Sequence, residues 1–143
     1  GGGAGNTSTY GKGRDGGSGG GGGAGNGGTT YSGGTATQGS ASTDYSKYGK
    51  AGGSSSDGTD GGGGGGANSV GGSGVTADCG AGEKFNISGS DYTYAKGGYP
   101  GNRTGDSYKS TNYGDGGRGG NTSSAGSEAG MPGIVIVRFA FSE

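Results

Sequence analysis

The sequence predicts a mostly irregular, non-α fold: a bundle (sandwich) of packed polyglycine II helices with long polar tyrosine-rich loops and one C-terminal β-strand over 134–141. Three observations predict it. Glycine supplies 47 of 143 residues and is gathered into runs. The stretches between the runs are polar and hold most of the nine tyrosines. Dense apolar sequence is confined to one run near the C-terminal end.

The glycine runs come first. Ile, Val and Phe together number 10, and leucine, tryptophan and histidine are absent. Such a chain cannot bury enough apolar surface to offset the entropy of ordering its backbone, and glycine raises that entropy further. Composition alone therefore describes a flexible linker. A folded reading needs something other than an apolar core to order the chain. Collagen is excluded, because Pro100 and Pro132 are the only prolines and no strict Gly-X-Y register exists. Glycine runs can adopt a left-handed three-fold helix without internal hydrogen bonds. Each amide then points sideways, and without a Cβ such helices can pack closely and bond to several neighbours. Buried peptide groups must be paired, so the pairing itself can serve as the core.

The runs expected in the bundle are 1–5, 16–28, 58–74 (interrupted at 67–70), 114–120 and 126–133, with short additions near Gly33, Gly52, Gly80 and Gly97. The purest stretches, 19–23 and 61–66, suit positions surrounded on all sides. Spacings of three support the geometry: Ala4, Thr7 and Tyr10, or Asp115, Arg118 and Asn121, would each form one ridge, suited to the outer side of an edge helix.

Three segments of another character separate the runs: 6–15, 29–50 and 76–112. None has helical periodicity. The β-strand is expected from Ile134-Val135-Ile136-Val137-Arg138-Phe139-Ala140-Phe141, which is apolar at seven of eight positions and follows Pro132-Gly133. Val135, Val137, Phe139 and Phe141 would share one face. Left bare, such a strand invites aggregation, so it is expected to be the most buried segment, covered by the bundle or paired with a partner chain.

The chemistry is one of binding. Without histidine there is no Ser–His or Cys–His pair, and no enzymatic activity or cofactor is expected. Matches to G-x-G-x-x-G lack the strand and helix that give the motif meaning. Asp57 and Asp60 are read as turn carboxylates and no metal site is expected. Cys79 is the single cysteine, which excludes an internal disulfide, and is read as a small buried residue. Net charge is −1, with no basic stripe for nucleic acid. No apolar run approaches a membrane span. Four Asn-X-Ser/Thr sequons occur, at Asn6, Asn86, Asn102 and Asn121. Nine tyrosines and 19 serines, mixed with Asn, Thr and Lys, form the vocabulary of binding loops. Ordered loops of this length are usually functional, and Tyr and Arg lead among interface hot spots. The receptor-binding surface is accordingly expected on Tyr45, Lys47, Tyr48, Tyr92, Tyr94, Lys96, Tyr99, Arg103 and Tyr108. The competing reading makes the tyrosines packing over the glycine runs.

Alternating polyglycine runs and Tyr/Ser/Asn-rich segments resemble the distal receptor-binding adhesins of T-even-like bacteriophage long tail fibres. The ending, from Gly133 through Phe139, is similar to the Gly-Ile-Val-Ile-Val-Arg-Tyr type ending of glycine-rich domains in phage tail and bacterial surface proteins. The resemblance is compositional over most of the chain and motif-like only in its last dozen residues. It implies a polyglycine II sandwich presenting variable loops to a bacterial outer-surface protein or glycan. It also implies a location at a virion's tail-fibre tip, outside the cell. No fibre-attachment domain is visible, so 1–143 is expected to be a single domain, the C-terminal part of a longer fibre protein. Such fibres are commonly trimeric, which leaves monomer and homotrimer open. A purely structural glycine-rich fibre or surface module is the alternative, and an ice-binding protein a remote one, disfavoured by the irregular tyrosine segments.

Overall fold

The computed structural model describes residues 11–24, 28–38, 48–56, 60–74, 77–101, 106–119 and 127–139. Among them the fold is mostly non-helical and irregular. The regular elements are strands β1 (Glu83–Phe85) and β2 (Tyr92–Tyr94) and one 3-10 turn, Asp106–Tyr108. β1 and β2 form a two-stranded antiparallel sheet in which Glu83 faces Tyr94, Lys84 faces Thr93 and Phe85 faces Tyr92.

The interior is made of backbone. Among the described residues the only buried apolar side chains are Ala67, Ala77 and Pro100, whereas residues 19–23 and 62–67 are buried along their length. Residues 62–67 show how glycine permits this. The amides of Gly62 and Gly65 donate to the carbonyls of Gly22 and Gly19. Those of Gly63 and Gly66 donate to Gly72 and Ser69, and those of Gly64 and Ala67 to Gly98 and Ala95. The target therefore changes at each residue and returns every third. Carbonyls go outward in the same way: Gly63 and Gly66 accept from Gly53 and Lys50, and Gly64 accepts from Gly80. Residues 19–23 are similarly shared among 11–14, 34, 50–53 and 62–65.

Close approach makes glycine obligatory here. A Cβ on Gly21, Gly53, Gly63, Gly65 or Gly97 would meet the carbonyl oxygen of Gly62, Gly72, Asp78, Lys50 or Gly64, respectively, well inside the 3.0 Å that real Cβ atoms respect. The short pieces near Gly33, Gly52, Gly80 and Gly97 join this framework through Gly34, Gly52, Gly80 and Gly97 amides. Runs also lie beside each other in both senses. Gly116 and Gly119 donate to Lys96 and Tyr99 in parallel order, while Met131 and Glu128 donate to Asp115 and Arg118 in antiparallel order. Run 1–5 and residues 25–27, 58–59, 120 and 126 of the other runs lie outside the described residues.

Three expectations are corrected. Over its described part, 134–139, the predicted C-terminal strand carries no ladder, and Val135, Val137 and Phe139 are 90%, 67% and 76% exposed. Far from being the most buried segment, it is the most exposed apolar one. The reason is physical: large side chains need an apolar face to pack on. Here the glycine runs spend their amides on each other and leave no room for a side chain between them. Residues 140–141 lie outside the described set.

The ridge expectation also changes. Asp115 and Arg118 do sit three apart, but both are buried. Arg118 pairs with Glu128 at 3.0 Å, and Asp115 is enclosed by the 110–112 loop. Asn121 lies outside the described residues. Third, the 76–112 segment contains a hairpin that periodicity did not reveal.

Candidate functional site

The hairpin is short, and its turn explains why it closes. Gly89 adopts φ +95°, and its amide donates to Asn86 at 2.9 Å. A side chain would be strained at that φ. Alternation then sets the two faces. Glu83, Phe85, Tyr92 and Tyr94 fall on one side, Lys84 and Thr93 on the other.

The first side gathers rings. Tyr48 meets Phe85 edge-on at 5.3 Å between centroids, and Phe85 lies 6.2 Å from Tyr94. Tyr94 lies 4.9 Å from Tyr92, which reaches Tyr113 at 6.2 Å. Five rings thus form one continuous row. Phe85, Tyr92 and Tyr113 are exposed, as is Ile87 in the turn, while Tyr48 and Tyr94 are half-buried. Tilted and edge-on contacts of this kind are favourable beyond simple area burial, so the row is a preorganised surface.

A buried carboxylate fixes where the row stands. Asp115 is 2% exposed. Its Oδ1 accepts the Lys96 amide at 2.8 Å, and its Oδ2 accepts the Asn112 amide at 2.9 Å, the Thr111 amide at 3.2 Å and the Asn112 side-chain amide at 3.2 Å. One carboxylate therefore ties the chain after β2 to the loop carrying Tyr113. The Ala95 amide donates to Tyr113 at 3.0 Å and its carbonyl accepts from Ala67. Ala95 itself has φ +56°, a conformation uncommon for a residue with a Cβ and held only where surroundings over-determine it.

A second group sits on the same stretch of chain. Tyr99 and Tyr108 pack edge-on at 5.0 Å, and the Lys96 ammonium lies 4.7 Å from the Tyr99 ring centre, within cation–π range. The Tyr99 hydroxyl neighbours the Cys79 thiol, and each shifts the other's acidity. Burial, then the neighbouring Cys79 thiol, pushes the Tyr99 phenol well above its ordinary value. Burial likewise raises the Cys79 thiol, against the opposing effect of the Tyr99 hydroxyl. Both groups are thus held neutral, and Cys79 is poorly disposed to act as a thiolate nucleophile.

Of the residues singled out from sequence, Tyr48, Tyr92 and Tyr94 meet in the five-ring row, and Lys96, Tyr99 and Tyr108 in the second group. Tyr45, Lys47 and Arg103 lie outside the described residues. Sequence reasoning missed Phe85, Tyr113 and Asp115. The alternation Glu-Lys-Phe and Tyr-Thr-Tyr around Ser88-Gly89 was the signal for the first. Nothing in the sequence marked the second or third. Among the described residues no group of three or more Cys, Asp and Glu is placed to hold a metal ion.

Comparison with protein-family models, curated proteins and solved structures finds no match for the chain.

Proposed function

We propose that the chain is an adhesion module: a polyglycine II bundle that presents aromatic side chains to a receptor, as the receptor-binding tip of a phage-type tail fibre. The partner in this reading is a bacterial outer-surface protein or glycan, with the rest of the fibre as its mount. The three-residue return of amide direction in 62–67 supports the polyglycine II geometry, since that helix has three residues per turn. One observation carries the functional reading. Three aromatic side chains, Phe85, Tyr92 and Tyr113, stand exposed in a row that a buried carboxylate and the glycine framework hold in place. A rigid mount lowers the ordering cost of binding, and exposed aromatic clusters are the usual anchors of interfaces. No enzymatic activity is part of the proposal.

The purely structural reading is favoured at one place. Tyr99 packs edge-on against Tyr108 beneath the Lys96 ammonium and beside Cys79, which suits packing more than contact with a partner. The test uses Tyr92→Ala, Tyr113→Ala and Tyr99→Ala. Attachment to host cells should fall at least tenfold in the first two with little loss of thermal stability. Tyr99→Ala should lower the melting temperature. Unimpaired attachment by the Tyr92/Tyr113 double variant would remove this row as the receptor surface.

A further inference from the structure

We infer that the five-ring row takes a cationic side chain, an arginine or lysine on a loop of a bacterial surface protein, with Glu83 as its counter-charge. The inference rests on the reading of the row as the receptor surface and narrows that surface to one ligand chemistry.

Charge on the row's face is the first observation. The register sets Glu83 opposite Tyr94, on the side that carries Phe85 and Tyr92, while Lys84 falls on the other side. Glu83 is half-buried, and among the described residues its carboxylate forms no ion pair. Within 82–95 the acids Glu83 and Asp91 outnumber the single base, Lys84. An aromatic ring presents a negative face. Rings and carboxylate therefore attract the same sign of charge, and a cation gains from both.

Ring geometry is the second. Successive rings of the row are inclined at 84°, 44°, 54° and 44°. No two neighbours are coplanar, so a flat sugar ring can lie on only one of them at a time. A cation makes no such demand, being held by any ring face within about 6 Å of its centre. Tyr92 and Tyr94 are 4.9 Å apart, so one guanidinium or ammonium can be in range of both, with Glu83 across the strand pair from Tyr94. The row is an open surface, on which a loop can set its cation at Tyr92 and Tyr94 and lie along Phe85 or Tyr113.

The third is a precedent within the molecule. The Lys96 ammonium lies 4.7 Å from the Tyr99 ring centre, so the second aromatic group already holds its cation. Phe85, Tyr92 and Tyr113 are exposed, and among the described residues no cation stands over any of them.

The experiment follows the ring signals of the full chain by nuclear magnetic resonance. The probes are acetyl-Gly-Arg-Gly-Arg-Gly-amide, the same peptide with neutral citrulline for both arginines, and the neutral sugar lactose. The arginine peptide should shift Phe85, Tyr92 and Tyr113 and bind at least about threefold more tightly than the citrulline peptide. Glu83→Gln, which keeps the shape and removes the charge, should erase most of that preference. No response of the row to the arginine peptide would overturn the inference. So would equal binding of the citrulline peptide, tighter binding of lactose, or a preference unchanged in Glu83→Gln. At least threefold tightening in Lys47→Ala/Arg103→Ala would make the chain's own cations the occupants and overturn it as well. Cell attachment by the Tyr92/Tyr113 double variant reads the receptor surface separately. Lost attachment without an arginine preference rejects the cation and keeps the surface, whereas unimpaired attachment rejects the surface whatever the peptides do.

Discussion

Residues 62–67 and residues 134–139 are opposites. The first stretch has one methyl group among six side-chain positions, yet it is buried throughout and bonded to several neighbours. The second has five apolar side chains in six positions and stands exposed. In most domains burial follows apolar area. Here it follows the capacity of the backbone to approach another backbone, and the large side chains are placed outside. What glycine lacks is what lets the amides reach each other.

The sharpest way to break that contrast is to add one methyl group to each region. Gly63→Ala would drive a Cβ into the Asp78 carbonyl. Backbone bounds the site, so relief requires moving a neighbouring run. The expected loss is about 3 kcal/mol or more, a large part of the roughly 5–15 kcal/mol by which domains are stable. Gly133→Ala meets nothing within 4 Å, and should change stability by less than about 0.5 kcal/mol. Urea denaturation of both variants checks the pair.

Asp115 joins the glycine framework to the ring-bearing loops. Asp115→Ala would leave three backbone amides and one side-chain amide without their acceptor. A loss of about 3 kcal/mol is expected, with release of the Tyr113 loop detectable by proteolysis.

Alkaline pH separates the second aromatic group from the first. Cys79 and Tyr99 are acids whose neutral forms the fold favours. Their contribution to stability is fully present below the unfolded values of 9.0 and 10.0 and is lost as pH rises past these toward the higher folded values. The melting temperature should therefore fall above about pH 9, and the fall should lessen in Tyr99→Phe. At pH 8, alkylation of Cys79 should be slow in the folded protein and rapid in urea.

The smallest effect concerns the joint between the hairpin and the bundle. Ala95 has φ +56°, which costs a residue with a Cβ roughly 1–2 kcal/mol. Ala95→Gly should raise stability by up to about 1 kcal/mol, the gain being reduced by the greater freedom of glycine in the unfolded chain. An unchanged or lowered denaturation midpoint would count against strain at this joint.

Much of the framework was legible. Pure glycine at 19–23 and 61–66 marked the runs with most neighbours, because at Gly19, Gly21, Gly22, Gly62, Gly63, Gly65 and Gly66 only a residue without a Cβ fits. The pieces at Gly33, Gly52, Gly80 and Gly97 could be guessed for the same reason. The tail misled because β-branched, apolar sequence reports what a segment could do, and among the described residues no strand pairs with it. Asp115 was hidden because a carboxylate in a glycine run looks solvated; its burial depends on the 111–112 loop folding back onto it. Tyr48, Tyr92 and Tyr94 were legible as aromatic residues in polar loops. Their joining into one row through Phe85 and Tyr113 depended on a three-residue hairpin register too short to show as periodicity.

Amide hydrogen exchange under native conditions tests the central claim most directly, since it reads the backbone bonds themselves. The amides of Gly62, Gly63, Gly64, Gly65 and Gly66 donate to three different stretches of chain. They should be the slowest to exchange and should do so together, at the rate set by global unfolding. The hairpin amides at 83–94 should exchange earlier. Exchange of the 62–66 amides at the rate of an unstructured glycine chain, with protection concentrated in the hairpin instead, would contradict the account.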